Sequence, residues 1–288
     1  MPAFPTLVSF LRLWFVAIFA LNFAAGCASR VTAPAAIAAK HGLVQSELQG
    51  TVFTHTVYHT PATSQPHDST QPLWVFIEGD GRPWINGGRE PARDPTTSRP
   101  LALELAAQMQ RPVLYVGRPC YDRPIMDASC TFTWWTDARY SPTVVQSLAA
   151  AIRRYQERAH FERLILVGYS GGGVLADLVA HEVHGATAVV TIAANLDVSA
   201  WTEYHGYLPL TASVNPAATT NTATWPEIHL LGEEDEVVPP HTVQRYFERH
   251  PGSIVWRYPE HGHICCWREQ WPRIVDRIDR QLVTTEPR

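Results

Sequence analysis

The sequence has very little lysine and none of the common nucleotide-binding motifs. Lys40 is its only lysine, and the arginines are dispersed rather than gathered on one stretch. A protein that binds nucleic acid ordinarily carries a basic patch, so this composition argues against a nucleic-acid partner. No GxGxxG or P-loop motif occurs, and no histidine or cysteine spacing is typical of a metal site. The sequence therefore predicts neither a cofactor nor a metal.

The sequence also lacks an apolar run long enough to span a membrane. The apolar run near its start is short. Arg12 precedes Leu13–Ala20 (LWFVAIFA), which is followed by small residues. This run is too short for a membrane-spanning helix and has the form of a signal peptide. We therefore predict a signal peptide over residues 1–26.

The end of this segment resembles the lipobox of bacterial lipoproteins, in which a cysteine is lipidated and becomes the mature N-terminus. Gly26 precedes Cys27, although Ala24 stands where that motif most often has leucine. The resemblance implies a lipid at Cys27 that holds the protein at a membrane of the bacterial cell envelope. Residues 27–50 would then form a tether. Plain secretion, a periplasmic location or an uncleaved anchor are the alternatives.

The remaining cysteines are few, and their number agrees with export. Cys120, Cys130, Cys265 and Cys266 form an even set, which allows disulfides in an oxidising compartment. A bond between Cys120 and Cys130 closes a short loop and is the preferred pairing. The adjacent Cys265 and Cys266 could bond each other only in a strained ring, or one of them could reach another loop. Four thiolates around a metal are the alternative that the spacing disfavours.

From residue 51 onward, apolar segments that predict strands alternate with segments that predict helices. The predicted strands are an alternating edge strand at Thr51–Thr60 and apolar runs at Leu73–Ile77, Pro112–Val116, Leu164–Val167, Ala188–Ala193, Ile228–Leu231 and Ser253–Tyr258. The alternation predicts one α/β domain over residues 51–288, with a mostly parallel central sheet and helices on both faces. Sites in such sheets form beyond the carboxyl ends of the strands, where the long loops of this chain lie.

One of these strand ends carries a sequence typical of a nucleophilic serine. Residues 168–172 read GYSGG, a GxSxG pattern between the apolar run Leu164–Val167 and a segment that predicts a helix. A sharp strand–turn–helix connection would expose Ser170 at the end of the strand. Because a serine hydroxyl needs a base, and the base an orienting acid, an aspartate and a histidine are expected after later strands.

With such residues in the order Ser, Asp, His, the chain resembles the α/β-hydrolase superfamily from about Leu73 to the C-terminus. Residues 232–239 (GEEDEVVP) are similar to the superfamily's turn after the penultimate strand, which implies that Asp235 is the acid. Asp197, after the preceding strand, is the alternative acid. The Gly-His pair after the last strand implies that His263 is the base, ahead of its neighbour His261.

The resemblance also implies backbone N–H donors for the oxyanion of a tetrahedral intermediate. One is Gly171, directly after the serine. The other comes from the loop after Leu73–Ile77, where the family's His-Gly-x is Glu-Gly-Asp, so Gly79 and Asp80 are the candidates. Arg82 either balances the two carboxylates of this loop or lies on the surface.

The resemblance implies a serine hydrolase that acts through an acyl-enzyme on a small-molecule acyl substrate. The sequence shows no helical insertion long enough to form a large cap. Carboxylic esters are the expected substrate class, and no cofactor is required. The same triad serves peptidases and acyltransferases, so these activities remain alternatives. A non-catalytic envelope lipoprotein that uses the fold for binding is the other. The aromatic residues of the long loops, such as Trp135 and Trp201, either line a substrate pocket or pack the loops.

Overall fold

A computed structural model describes residues 33–61, 71–123, 129–220 and 223–285. The strands are β1 (Val44–Gln49), β2 (Thr54–His59), β3 (Leu73–Ile77), β4 (Trp84–Ile85), β5 (Glu90–Pro91), β6 (Val113–Val116), β7 (Leu164–Tyr169), β8 (Ala186–Ile192), β9 (Glu227–Gly232) and β10 (Ile254–Tyr258). The helices are α1 (Ala33–Lys40), α2 (Leu101–Ala106), α3 (Pro142–Ala159), α4 (Gly171–Ala180), α5 (Val198–Tyr204), α6 (Gln244–Arg249) and α7 (Trp267–Thr285).

Eight of these strands form one sheet in the order β1-β2-β6-β3-β7-β8-β9-β10. The pairs β1–β2 and β2–β6 are antiparallel, and the other five neighbouring pairs are parallel. Strands β4 and β5 form a separate small hairpin. This arrangement confirms the predicted α/β fold with a mostly parallel sheet.

The central strands are buried on both faces, which explains their continuous apolar sequence. In β3, Leu73, Val75 and Ile77 belong to the core on one side of the sheet, together with residues of α3 and α4. Trp74 and Phe76 belong to the core on the other side, which α2 and α7 cover. Both layers of helices therefore pack against strands whose carboxyl ends carry the long loops.

The predicted boundary between a tether and the domain at residue 51 is wrong. Helix α1 and strand β1 lie in the segment assigned to the tether, and β1 pairs with β2 from Val44–His59 to Gln49–Thr54. The strand at Thr54–His59 is therefore not an edge strand, because β1 covers it. Most side chains of β1 are exposed and only Leu48 is buried, so its sequence has no apolar periodicity to reveal it.

Two further features concern the loops and the membrane. Helix α5 lies in the long connection between β8 and β9. Across the four described ranges, none of the helices combines the length and the apolar character needed to cross a membrane. The predicted signal peptide and Cys27 lie outside the described residues.

Candidate active site

Ser170 lies in a sharp turn between β7 and α4. Its backbone has φ 52° and ψ −128°, in a region that residues with a side chain rarely adopt. A Cβ atom on Gly168 would overlap the carbonyl oxygen of Gly172, and one on Gly172 would overlap the carbonyl oxygen of Ile77. Glycine at both positions therefore allows the close approach of strand and helix that the turn requires. The Ser170 N–H donates to the carbonyl of Ile192 in β8 at 2.8 Å.

Three side chains from three loops form a chain of hydrogen bonds at this turn. Ser170 Oγ lies 3.1 Å from His263 Nε2, and His263 Nδ1 lies 2.8 Å from Asp235 Oδ2. The other carboxylate oxygen, Oδ1, accepts from the N–H groups of Val237 and Val238 at 2.9 and 2.8 Å. Asp235 is only 3% exposed, so both oxygens are fixed within the protein. The structure thus brings together the serine, histidine and aspartate that the sequence nominates.

The loop that carries His263 is held from several sides. The indole N–H of Trp267, at the start of α7, donates to the His263 carbonyl at 3.1 Å. The ring of Tyr169 packs against the imidazole with 5.1 Å between centroids. The Glu234 N–H, in the turn of the acid, donates to the carbonyl of His261 at 3.0 Å. Sequence reasoning missed the role of Tyr169, because it occupies a variable position of the GxSxG pattern.

The two alternative residues do not take part in this chain. Asp197 caps helix α5 and forms an ion pair with Arg245, and it makes no contact with His263. The ring of His261 packs against Trp267 with 4.6 Å between centroids. Neither of its nitrogens has a hydrogen-bond partner among the described residues.

The two candidate donors of the loop after β3 differ in their hydrogen bonds. The Gly79 N–H donates to the Glu78 carboxylate at 3.2 Å, so it is already engaged. The same carboxylate turns inward and accepts from two N–H groups at the start of α2. The N–H of Asp80 has no acceptor among the described residues, and the same holds for Gly171, the first residue of α4. Of the three candidate donors, Asp80 and Gly171 are therefore the two whose N–H groups have no acceptor among the described residues.

The two carboxyl groups of this loop are in opposite protonation states at neutral pH. Burial raises the pKa of Glu78 to about 8, although its N–H donors act against this, so its carboxyl is protonated. Burial would also raise the pKa of Asp80, but Arg139 and Arg118 outweigh it and hold that pKa well below its ordinary value. Their Nη1 atoms lie 2.8 and 2.5 Å from the Asp80 carboxylate, and the hydroxyl of Tyr140 donates to it at 2.7 Å.

Arg82 is exposed, and the cations that balance the Asp80 carboxylate are therefore Arg118 and Arg139.

The indole N–H groups of Trp135 and Trp201 donate to carbonyl groups in neighbouring loops at 3.1 and 2.7 Å. Both rings are buried. These two aromatic residues thus pack the loops rather than line a pocket.

The cysteines form two pairs at disulfide-bonding distance. Cys120 pairs with Cys130, as the sequence predicts, and Cys265 pairs with its neighbour Cys266. The Cys265–Cys266 pair lines part of an open cavity of about 390 Å³, together with Leu101 and Ile264. Ile264 directly follows His263 in the sequence. Within the described ranges, no cluster of three or more histidine, cysteine, aspartate or glutamate side chains could hold a metal ion.

Known proteins share both the sequence pattern and the fold. Two solved structures of low sequence identity superpose over most of the chain. The esterase PF2001 of Pyrococcus furiosus has a TM-score of 0.57 at 15% identity and covers 84% of this chain and 92% of its own. Est1E of Butyrivibrio proteoclasticus has a TM-score of 0.56 at 13% identity, with coverages of 84% and 99%. At such identities, these similarities establish the α/β-hydrolase fold.

The family comparison covers the site itself. No curated protein matches the sequence at a significant level. The sequence profile of the family described as "Serine hydrolase (FSH1)" matches residues 104–270, more than half of the chain. This span includes Ser170, Asp235 and His263. The chain therefore belongs to the FSH1 family of serine hydrolases, within the α/β-hydrolase superfamily.

Proposed function

We propose that this protein hydrolyses carboxylic esters through an acyl-enzyme formed on Ser170. The observation that carries the proposal is the hydrogen-bond chain from Ser170 Oγ through His263 to Asp235. In the first step, His263 Nε2 accepts the hydroxyl proton as Oγ attacks the carbonyl carbon. The Asp235 carboxylate accepts the Nδ1–H bond, which selects the tautomer with a free Nε2 and stabilises the imidazolium that forms.

The developing oxyanion needs donors that are in place before the reaction. Of the three candidate donors, Gly171 and Asp80 have N–H groups without an acceptor among the described residues, and we assign this role to them. The tetrahedral intermediate collapses as the C–O bond to the alcohol breaks and His263 returns its proton to the leaving oxygen. A water molecule, deprotonated by His263, then attacks the acyl group, and the acid leaves as Ser170 regains its proton. These steps use no cofactor.

An ester is the substrate class favoured by two observations. The solved structures of similar fold include the esterase PF2001 of Pyrococcus furiosus in two crystal forms. The cavity beside the His263 loop is lined by Leu101, Ile264 and the two cysteines, and also by the charged residues Glu104, Arg268 and Glu269. We assign an aliphatic part of an acyl substrate to its apolar side. Both observations support an ester as the substrate.

We further propose that the protein is exported and held at the membrane of a bacterial cell envelope by a lipid on Cys27. The support is the apolar segment Leu13–Ala20 and the lipobox-like sequence before the cysteine. Labelling with a palmitate analogue tests this. Incorporation that disappears in Cys27→Ser supports lipidation at that residue, and incorporation that persists contradicts it.

A substrate series with leaving groups of one kind tests the proposed reaction. The enzyme without residues 1–26 is assayed on p-nitrophenyl esters from acetate to palmitate and on the matching p-nitroanilides. We expect ester turnover that is absent in Ser170→Ala. Turnover confined to the anilides would indicate an amidase, and preferential acyl transfer to an added alcohol would indicate an acyltransferase. A folded protein without any turnover would contradict the proposal.

A further inference from the structure

We propose that Arg118, Arg139 and Tyr140 are positioning residues that act through the Asp80 side chain to hold the Asp80 N–H in place for the oxyanion. The inference rests on the proposed function, and it goes beyond it by naming what fixes one of the two donors. None of the three side chains needs to touch the substrate.

Asp80 has four polar groups, and three of them are fixed by other side chains. Arg118 Nη1 lies 2.5 Å from Oδ1, while Arg139 Nη1 and the Tyr140 hydroxyl lie 2.8 and 2.7 Å from Oδ2. The Tyr121 hydroxyl donates to the main-chain carbonyl at 2.9 Å. Only the N–H has no acceptor within the described ranges. The position of the Asp80 nitrogen, which carries the free N–H, is therefore fixed by the contacts made by the rest of the residue.

The holding residues are themselves rigidly placed. Arg118 and Arg139 are 1% and 4% exposed. The second guanidinium nitrogen of Arg118 donates to the Arg139 carbonyl at 3.2 Å, and Arg139 Nε donates to the carbonyl of Thr136 at 2.7 Å. Arg118 lies two residues before Cys120, whose pairing with Cys130 closes that loop. Long side chains that are buried and multiply bonded transmit a fixed geometry, because they have lost their rotamer freedom.

The same network touches the second donor. A Cβ atom on Gly171 would overlap Oδ1 of Asp80 and the hydroxyl of Tyr140, so both groups lie against the backbone that follows Ser170. The Tyr140 hydroxyl is also 3.3 Å from Nδ2 of Asn195. One cluster of side chains thus packs against the residues that supply both free N–H groups.

The charge of the cluster also favours an anion beside it. Two buried guanidinium groups face one carboxylate, which leaves one net positive charge in Arg118, Arg139 and Asp80. The neighbouring Glu78 is protonated at neutral pH and does not cancel it. A buried positive charge lowers the energy of a negative charge that develops nearby. The cluster therefore contributes both to the position of the donor and to the local potential.

The variant Tyr140→Phe tests the positioning role, because it removes one hydroxyl and keeps both arginines. Tyr246→Phe is the matched control, since the buried Tyr246 hydroxyl donates to Asp177 at 2.9 Å. The ring of Tyr246 packs against His229, Phe247 and His250, which lie outside the site. For each chain, kcat and KM are measured on one ester, together with the Ki of an alkyl trifluoromethyl ketone and the Tm. The ketone forms a tetrahedral adduct with a serine, whose oxyanion reports on the donors.

We expect Tyr140→Phe to lower kcat about tenfold with KM nearly unchanged, a fraction of the 10²–10³-fold loss expected when a donor is removed outright. The ketone should weaken by a similar factor. Tyr246→Phe should change neither quantity, even where its Tm falls as much. Arg139→Lys, which keeps the charge and loses the fork, should act as Tyr140→Phe does, and it decides the matter if Tyr140→Phe does not fold.

Two outcomes would overturn the inference, and they can be told apart. If Tyr140→Phe and Arg139→Lys match Tyr246→Phe in kcat and in ketone affinity, while turnover still requires Ser170, only the positioning role fails. If the wild type and Ser170→Ala have the same rate, the proposed function fails, and the inference fails with it.

Discussion

Asp197 and Arg245 form a two-point ion pair, in which Arg245 Nε and Nη2 lie 2.6 and 2.5 Å from the two oxygens of the carboxylate. Burial would raise the pKa of Asp197, but the bonds from Arg245, the Ala200 N–H and Asn215 hold it below its ordinary value. Asp197 is therefore engaged at the start of α5. The carboxylate that reaches His263 is that of Asp235.

Because only Asp235 reaches His263, the same Asp-to-Asn substitution should affect kcat at residue 235 and stability at residue 197. Asp235→Asn should lower kcat by about 10³–10⁴-fold, because the amide no longer selects the required tautomer of His263. Asp197→Asn should leave kcat unchanged and lower the Tm, because it weakens an ion pair and a helix cap. Steady-state kinetics and thermal unfolding of both variants make the comparison. The reverse pattern would mean that Asp197 is the acid.

Glu78 predicts a pH dependence of stability. Its pKa of about 8 lies above the ordinary value of 4.5, so between these values the folded protein holds a proton that the unfolded chain has released. The contribution of the protonated Glu78 carboxyl to the free energy of unfolding is therefore complete below pH 4.5. It is lost as the pH rises to about 8. The slope is at most about 1.4 kcal/mol per pH unit for one proton.

The variant Glu78→Gln isolates this contribution, because a neutral amide does not titrate. Urea unfolding of both chains at pH 5, 6.5 and 8 should show that the free energy of unfolding falls more steeply with pH in the wild type. Asp177, whose pKa burial also raises, titrates in both chains and cancels in the difference. Parallel curves for the two proteins would contradict a protonated Glu78.

The pairing of Cys120 with Cys130 predicts a stability change under reducing conditions. The two residues are ten positions apart, so the bond restricts a short loop of the unfolded chain. The expected loss in Cys120→Ser/Cys130→Ser is about 2–3 kcal/mol by the chain-entropy relation. Urea unfolding of the double variant and of the wild type should agree when both are measured with dithiothreitol, which also reduces the Cys265–Cys266 pair in both chains. A wild type whose stability is insensitive to dithiothreitol would argue against the bond.

Much of the fold could be predicted because its central strands are apolar on both faces. The limits Leu73–Ile77 for β3 were predicted from the sequence without error. Strand β1 was missed, since five of its six side chains are at least partly exposed and its place depends on pairing with β2. An edge strand of this kind is specified by its backbone partner rather than by its own composition.

The candidate site likewise contains residues that local sequence predicts and contacts that it does not predict. Ser170, Asp235 and His263 stand at local sequence patterns after strands, so each could be nominated without knowing its contacts. The pairing of Asp80 with Arg118 and Arg139 joins loops that are 38 and 59 residues apart. Local sequence near Asp80 suggested Arg82 instead. Which cation reaches a buried carboxylate depends on how distant loops pack, and a single sequence does not encode that in any local pattern.

The most direct test of Ser170 as the nucleophile is to find the residue that reacts with a fluorophosphonate probe. In serine hydrolases that form an acyl-enzyme, the nucleophilic serine attacks this probe. Purified wild type, Ser170→Ala and His263→Ala are treated with the probe, digested and analysed by mass spectrometry. We expect a single modified peptide in the wild type, with the adduct on Ser170. We expect no adduct in Ser170→Ala and strongly slowed labelling in His263→Ala. A folded wild type that is not labelled, or labelling that persists in Ser170→Ala, would contradict the assignment of Ser170 as the nucleophile.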